Sequence, residues 1–167
     1  MIKINVAEIK KRLVGEKTLA YELSPAELEI TPEELVIDST VNLEGTMSNA
    51  GDVLLLQAVM TAKVQRTCGR CLKNFTGVAR AEVVEKFYPA SAEHIENDAF
   101  VYDSDVIDIT EPLREGLLRA EPLQALCKPD CRGLCPVCGA DLNDGDCGCD
   151  RSTVDPRLAA LKQFIKN

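Results

Sequence analysis

Eight cysteines in a chain of 167 residues are the side chains best suited to chemistry, and none of them stands alone in the sequence. They form four close pairs: Cys68 and Cys71 with two residues between, Cys127 and Cys131 with three, Cys135 and Cys138 with two, and Cys147 and Cys149 with one. Eight thiolates complete two tetrahedra for zinc, which favours four soft ligands at about 2.3 Å. A two-residue spacing turns successive sulfurs toward one centre, while backbone N–H groups point at the thiolates and spread their charge. Cys135-Pro136-Val137-Cys138-Gly139 is the sharpest case, because proline fixes the turn and the glycine after the second cysteine accepts a positive φ. Its natural partner is Cys147 with Cys149, since the eight residues from Gly139 to Asp146 make a loop that closes cheaply. Site one is therefore Cys135, Cys138, Cys147 and Cys149. Cys68, Cys71, Cys127 and Cys131 are left for site two, although 55 residues separate its pairs. Up to two zinc ions are expected, with iron–sulfur ligation by the same thiolates as the alternative.

Four-cysteine zinc sites are closed and leave no coordination position for a substrate, so the reading is of a protein that is not an enzyme and has no small-molecule substrate. Cys68-Gly69-Arg70-Cys71 also fits a thiol oxidoreductase, but that chemistry uses a βαβ context with the first thiol at a helix N-terminus, and here strand patterns flank the motif on both sides. His94, the single histidine, sits in an acidic stretch as a solvated side chain. Asp103, Asp105 and Asp108 lack the glycine and terminal glutamate of a calcium-binding loop.

The net charge of −8 disfavours non-specific nucleic-acid binding, which depends on basic groups displacing counterions from phosphates. The charge is unevenly spread. Residues 82–115 carry ten acids against Lys86 and Arg114, whereas residues 61–81 carry five bases and no acid. Lys63, Arg66, Arg70, Lys73 and Arg80, with Phe75 as a stacking ring, form a candidate contact surface for RNA phosphates and bases, and hairpin solubility is the competing explanation. The acidic segment suits a basic protein. No stretch is long and apolar enough to span a bilayer and the N-terminus has no signal-peptide core, so a cytoplasmic, reducing setting is expected, where paired cysteines favour metal over disulfides.

The elements that must position these groups are mostly strands. The spacing predicts a turn or short helix around 6–14 and a strand with Leu19, Tyr21 and Leu23 on one face, ended by Ser24-Pro25. A second strand is expected from Leu35 to Gly45, then a turn at 49–52. Strands at 53–67 and 74–87 form a long hairpin, with Leu54, Leu56, Ala58, Met60, Ala62 and Val64 on one face and Phe75, Ala79, Ala81, Val83 and Phe87 on the other strand's matching face. Cys68 to Lys73 is its tip. Residues 89–105 read as a loop and 106–109 as a short strand. Thr110 offers an N-cap to a helix with Leu113, Leu117 and Ala120 on one face, ended by Pro122. Asp155-Pro156 starts a last helix with a stripe of Leu158, Leu161, Phe164 and Ile165. The fold class is α+β: an antiparallel β-rich domain over 1–125 with a long hairpin and short helices, and a zinc-ribbon-like segment with the last helix over 126–167.

The runs CGRCLKNF at 68–75, LCKPDCRGLCPVCGADLN at 126–143, CGC at 147–149 and DPRLAALKQF at 155–164 resemble the YceD family, the large ribosomal RNA subunit accumulation proteins of bacteria and plastids. The resemblance implies a cytoplasmic, non-enzymatic factor needed for synthesis, processing or stability of 23S ribosomal RNA, with the cysteines as metal ligands. Ribosomal RNA or precursors of the large subunit are then the expected partners, with a basic ribosomal protein as another. A protein-only zinc adaptor without nucleic-acid contact is the rival.

Overall fold

The computed structural model of the chain describes residues 1–12, 14–97 and 99–151. The expected helix at 155–164 lies outside these described residues. The elements run β1 (Lys3–Asn5), α1 (Ala7–Lys10), β2 (Glu16–Leu23), β3 (Val41–Asn49), β4 (Leu54–Thr67), β5 (Asn74–Pro89), β6 (Phe100–Tyr102), β7 (Val106–Asp108) and α2 (Thr110–Arg119). Five strands form one sheet in the order β2-β3-β4-β5-β6, antiparallel except for the parallel β5–β6 pair. A separate antiparallel pair joins β1 to β7. The architecture is α+β with antiparallel sheets.

The long hairpin forms as its alternation dictates. Leu54 opposes Phe87 at one end and Thr67 opposes Asn74 at the other, so the register is continuous from base to tip. All six predicted inward residues of β4 are buried, as are Ala79, Ala81, Val83 and Phe87 of β5. Phe87 stacks on Phe100 of β6 with ring centroids 5.3 Å apart. Leu113 and Leu117 of α2 belong to the same core, with Leu19, Leu28, Leu43 and Met47.

Four local expectations are corrected. The strand expected at 35–45 starts only at Val41 and runs on to Asn49. Before it, Glu34 Oε2 accepts hydrogen bonds from both the N–H and the hydroxyl of Thr31, closing a turn that carries Leu35 inward without strand pairing. Residues 89–105 are not merely a loop, because β6 lies within them. Tyr21 stays 37% exposed although Leu19 and Leu23, on the same face, are buried. Thr110 is the first helical residue and makes no cap; its hydroxyl instead accepts the Ile2 N–H at 2.6 Å, tying α2 to the start of the chain.

Helix α2 approaches β5 at Gly116, where an added Cβ would meet Val83 Cγ2 at 2.4 Å. Val83 is β-branched and cannot swing away, so overpacking outweighs the gain in helix propensity. Gly116→Ala is expected to destabilise the fold by about 1–3 kcal/mol. Equal denaturation midpoints for variant and parent would show that the helix can lift without cost.

Candidate metal centre

At the hairpin tip the chain leaves β4 at Thr67 and re-enters β5 at Asn74 through a tight turn. Cys68 N–H donates to Lys73 O at 2.9 Å, and Leu72 N–H donates to Cys68 O at 2.9 Å. The segment from Cys135 repeats this pattern: Cys135 N–H donates to Ala140 O at 2.8 Å and Gly139 N–H to Cys135 O at 2.9 Å. Two knuckles of one design thus arise from sequences with no detectable repeat. Gly139 has φ of 75°, as its position predicts, but the equivalent residue in the first knuckle is Leu72 at 59°. A leucine pays for this left-handed backbone and recovers little, since it is 64% exposed. Leu72→Gly is expected to stabilise the tip by about 0.5–1 kcal/mol, the strain relieved less the entropy of glycine in the unfolded chain. A lower melting temperature for that variant would show that the leucine side chain has a packing role.

The eight sulfurs fall into two groups, Cys68/Cys71/Cys127/Cys131 and Cys135/Cys138/Cys147/Cys149, with the four Sγ atoms of each within 4.8 Å of one another. In the first group Cys68 and Cys131 are 3.7 Å apart, as are Cys71 and Cys127. Metal–sulfur bonds of about 2.3 Å in a tetrahedron require sulfur–sulfur edges of about 3.8 Å, whereas a disulfide needs about 2.0 Å. The donor sets therefore fit a four-coordinate soft metal.

The electrostatics of the thiols follow the knuckles. The Cys71 N–H, then the Cys127 N–H, hold the Cys68 thiol down at about 6. The N–H groups of Cys138 and Val137 hold Cys135 at about 6 in the same way. Their neighbours move oppositely. Burial, then the Cys68 and Cys71 sulfurs, pushes Cys127 up to about 12, while the Cys138 and Cys147 sulfurs, then burial, push Cys149 up to about 12. Cys71 is also raised: the Lys73 N–H draws it down, but burial and the Cys68 sulfur outweigh that pull. Each group thus holds one readily ionised thiol beside at least one that ionises only if a cation replaces its proton.

The two groups differ in surroundings. Cys68, Cys71 and Cys131 are buried and pack with Phe75, Leu126 and Leu134. In the other group only Cys135 is buried, and Cys138 is exposed.

Four of the five predicted bases make contacts within the chain, although Arg70 and Lys73 stay exposed. Arg66 makes a two-pronged pair with Glu121 (Nε to Oε2 2.8 Å, Nη2 to Oε1 2.6 Å), with its side chain only 13% exposed. Arg70 Nη1 donates to Cys131 O at 2.8 Å. Lys73 Nζ lies 2.7 Å from Asp141 Oδ2 and 3.5 Å from Asp144 Oδ2, and the ammonium, helped by the Asn143 N–H, holds the Asp141 carboxyl at about 2. Phe75 is half-buried against the first sulfur group. Arg80 pairs with Glu82 at 3.3 Å, and it and Lys63 remain exposed on the outward side of the sheet. Three important residues were missed by the sequence reading. Asn143 Nδ2 donates to Cys131 Sγ at 3.5 Å and its Oδ1 accepts the Arg132 N–H at 2.9 Å, while Asp141 and Glu121 anchor the bases just named. Only the position of Asp141 and Asn143 inside the short loop between two cysteine pairs pointed to them.

An antiparallel α+β scaffold presenting two four-sulfur groups defines a cysteine-rich protein able to hold two metal ions. The family model for "Large ribosomal RNA subunit accumulation protein YceD" matches residues 56–165, a span that includes all but the first two residues of the hairpin and every cysteine, and the chain belongs to that family. An uncharacterized protein of Mycobacterium tuberculosis is 31% identical over 149 residues, covering 85% of this chain and 70% of that protein. The Bacillus subtilis protein YlbN, also uncharacterized, is 26% identical over 133 residues, 77% of this chain and 76% of its own. A maize protein named large ribosomal RNA subunit accumulation protein YCED homolog 1, chloroplastic, is 39% identical over 61 residues, 36% of this chain and 20% of the maize protein. No solved structure matches the chain. No helix among the described residues is long and apolar enough to cross a membrane.

Proposed function

We propose that the chain is a zinc-organised, non-enzymatic factor in the accumulation of 23S ribosomal RNA, working in the cytoplasm and acting through contacts rather than chemistry. The observation that carries this reading is the pair of four-sulfur groups with tetrahedral spacing in a member of the YceD family. Cys68, Cys71, Cys127 and Cys131 would hold one ion and fasten the hairpin to the segment after α2; Cys135, Cys138, Cys147 and Cys149 would hold the other and fold a ribbon-like unit from residue 126 onward. Zinc in such sites supplies cross-linking and no open coordination position. The burial of Cys68 and Cys71, 0% and 4% exposed, argues against a thiol oxidoreductase, whose attacking sulfur must be reachable.

The ion pairs at the tip favour a protein partner over direct RNA contact. Arg66, Arg70 and Lys73 already answer Glu121, the Cys131 carbonyl and Asp141. Filling both sites with divalent zinc and eight thiolates would make the surroundings of that tip still more negative. Reversing charge at Arg70 and Lys73 would break the junction itself, so Lys63→Glu with Arg80→Glu is the informative variant for RNA. Purified protein should contain two zinc ions per chain. Depleted cells should lose large-subunit RNA, and association with large-subunit precursors should survive both nuclease treatment and the Lys63/Arg80 reversal. Nuclease-sensitive association lost in that variant would restore RNA as the direct partner, and unchanged 23S levels on depletion would overturn the reading.

A further inference from the structure

We propose that a cleft between the β3–β4 turn, the end of β5 and the 90–97 loop receives an arginine- or lysine-rich segment of a protein partner. The proposal rests on the protein-contact reading above and names the partner's chemistry. The cleft has a volume of about 640 Å³ and is lined by Tyr88 and Tyr102, two of the chain's three tyrosines, and by its single histidine, His94. One wall already holds a cation. Lys10 Nζ lies 5.4 Å from the centroid of the Tyr102 ring and 2.8 Å from Asp105 Oδ1. A ring face beside a carboxylate is the combination that holds ammonium and guanidinium groups.

The rest of the cleft offers carboxylates without a cation. Asp52 and Glu93 line it, are exposed, and make no ion pair among the described residues. They stand in a chain of net charge −8, beside the segment 82–115 that holds ten of its acids. A nucleic acid would set its phosphates against these carboxylates with only Lys10, already paired, to answer them. A basic peptide meets carboxylates that no cation answers, so charge selects it as the occupant.

The chain has no tryptophan, so its intrinsic emission comes from tyrosines, of which two of the three line this cleft. The full-length, metal-loaded protein is titrated with a deca-arginine peptide, following tyrosine emission and the anisotropy of a labelled copy. Asp52→Asn with Glu93→Gln should weaken binding about tenfold, while Glu22→Gln with Glu44→Gln, the same loss of charge on the outward side of the sheet, should change it less than about twofold. Equal weakening by the two charge pairs would reduce the effect to bulk electrostatics and overturn the site, as would no change in tyrosine emission. A single-stranded RNA oligonucleotide whose affinity falls with Asp52→Asn and Glu93→Gln would overturn it in favour of nucleic acid. These readouts use purified protein alone. Failed peptide binding therefore removes the cleft and leaves the ribosomal RNA reading, whereas unchanged 23S levels on depletion remove that reading.

Discussion

Metal should leave this protein in two separable steps, with the Cys135, Cys138, Cys147 and Cys149 group emptied first. Three of those four cysteines are exposed or half-exposed, so a chelator or mercurial reaches them without prior opening. The other group is different: three of its cysteines are buried among Phe75, Leu126 and Leu134, and its sulfurs come from both the hairpin tip and the segment after α2. Reaching it requires parting the junction made by Arg70 with Cys131 O, Lys73 with Asp141, and the Gly69 N–H with Ala125 O at 2.8 Å. Local opening of even about 2–3 kcal/mol separates the two release phases by about two orders of magnitude in rate. The consequences for stability should differ as widely. Structural zinc contributes about 10–16 kcal/mol of apparent binding energy where the site forms only on folding. Cys127→Ser should therefore free residues 126–151 from the hairpin and lower the melting temperature sharply, while Cys149→Ser should cost one ion and leave the sheet and its junction intact. Release of both ions in a single phase, or equal melting temperatures for the two variants, would show that burial does not order the sites.

That asymmetry was only half visible in the sequence. Glycine after the second cysteine and a loop of eight residues pointed to the Cys135–Cys149 group by local rules. The other group depends on where a hairpin 55 residues earlier ends in space, which spacing cannot supply. The hairpin itself was legible because β4 and β5, fourteen and sixteen residues long, alternate over most of their length. β1 and β6, three residues each, are too short for a period to emerge, whereas the short strand expected at 106–109 is β7. Residues 35–40 show the limit of alternation from the other side: Leu35 and Ile37 turn toward the core as a strand's residues would, yet only Ile37 makes a bridge, to Val64. Alternation reports which side is dry, and backbone pairing is a separate fact.

The basic residues teach a related lesson. Five bases without an acid over residues 61–81 read as a free surface, because the partners of Arg66, Arg70 and Lys73 lie far along the chain. Glu121 is 55 residues from Arg66, and Asp141 lies beyond two further cysteine pairs from Lys73. A two-pronged arginine pair that is mostly buried is costly to break, since a lone Glu121 or Arg66 would keep its charge without compensation. Arg66, Arg70 and Lys73 thus fasten the segment after α2 to the strand tip, while Lys63 and Arg80 do not.

Protons should leave as metal enters, in numbers that the thiol environments fix. In the first group Cys71 is raised and Cys127 stands at about 12, and in the second Cys149 stands at about 12, so these three are protonated at pH 7.5 in the metal-free protein. Filling both sites at that pH should release at least three protons per chain, at least two of them from the buried group. The sign of the pH dependence follows. Each released proton makes metal binding weaker by about tenfold for every unit that pH falls, so the buried site should lose about a hundredfold or more per unit. In the metal-free chain Cys68 and Cys135, held at about 6 against an ordinary value of 9.0, contribute stability that is present above 9.0 and lost as pH falls through about 6. Both effects favour the folded, loaded protein on the alkaline side. Calorimetric titration of metal in two buffers of different ionisation enthalpy gives the proton count directly. A count below three per chain would mean that some of these thiols are already ionised without metal, and that neighbouring sulfurs do not hold one another's protons in place.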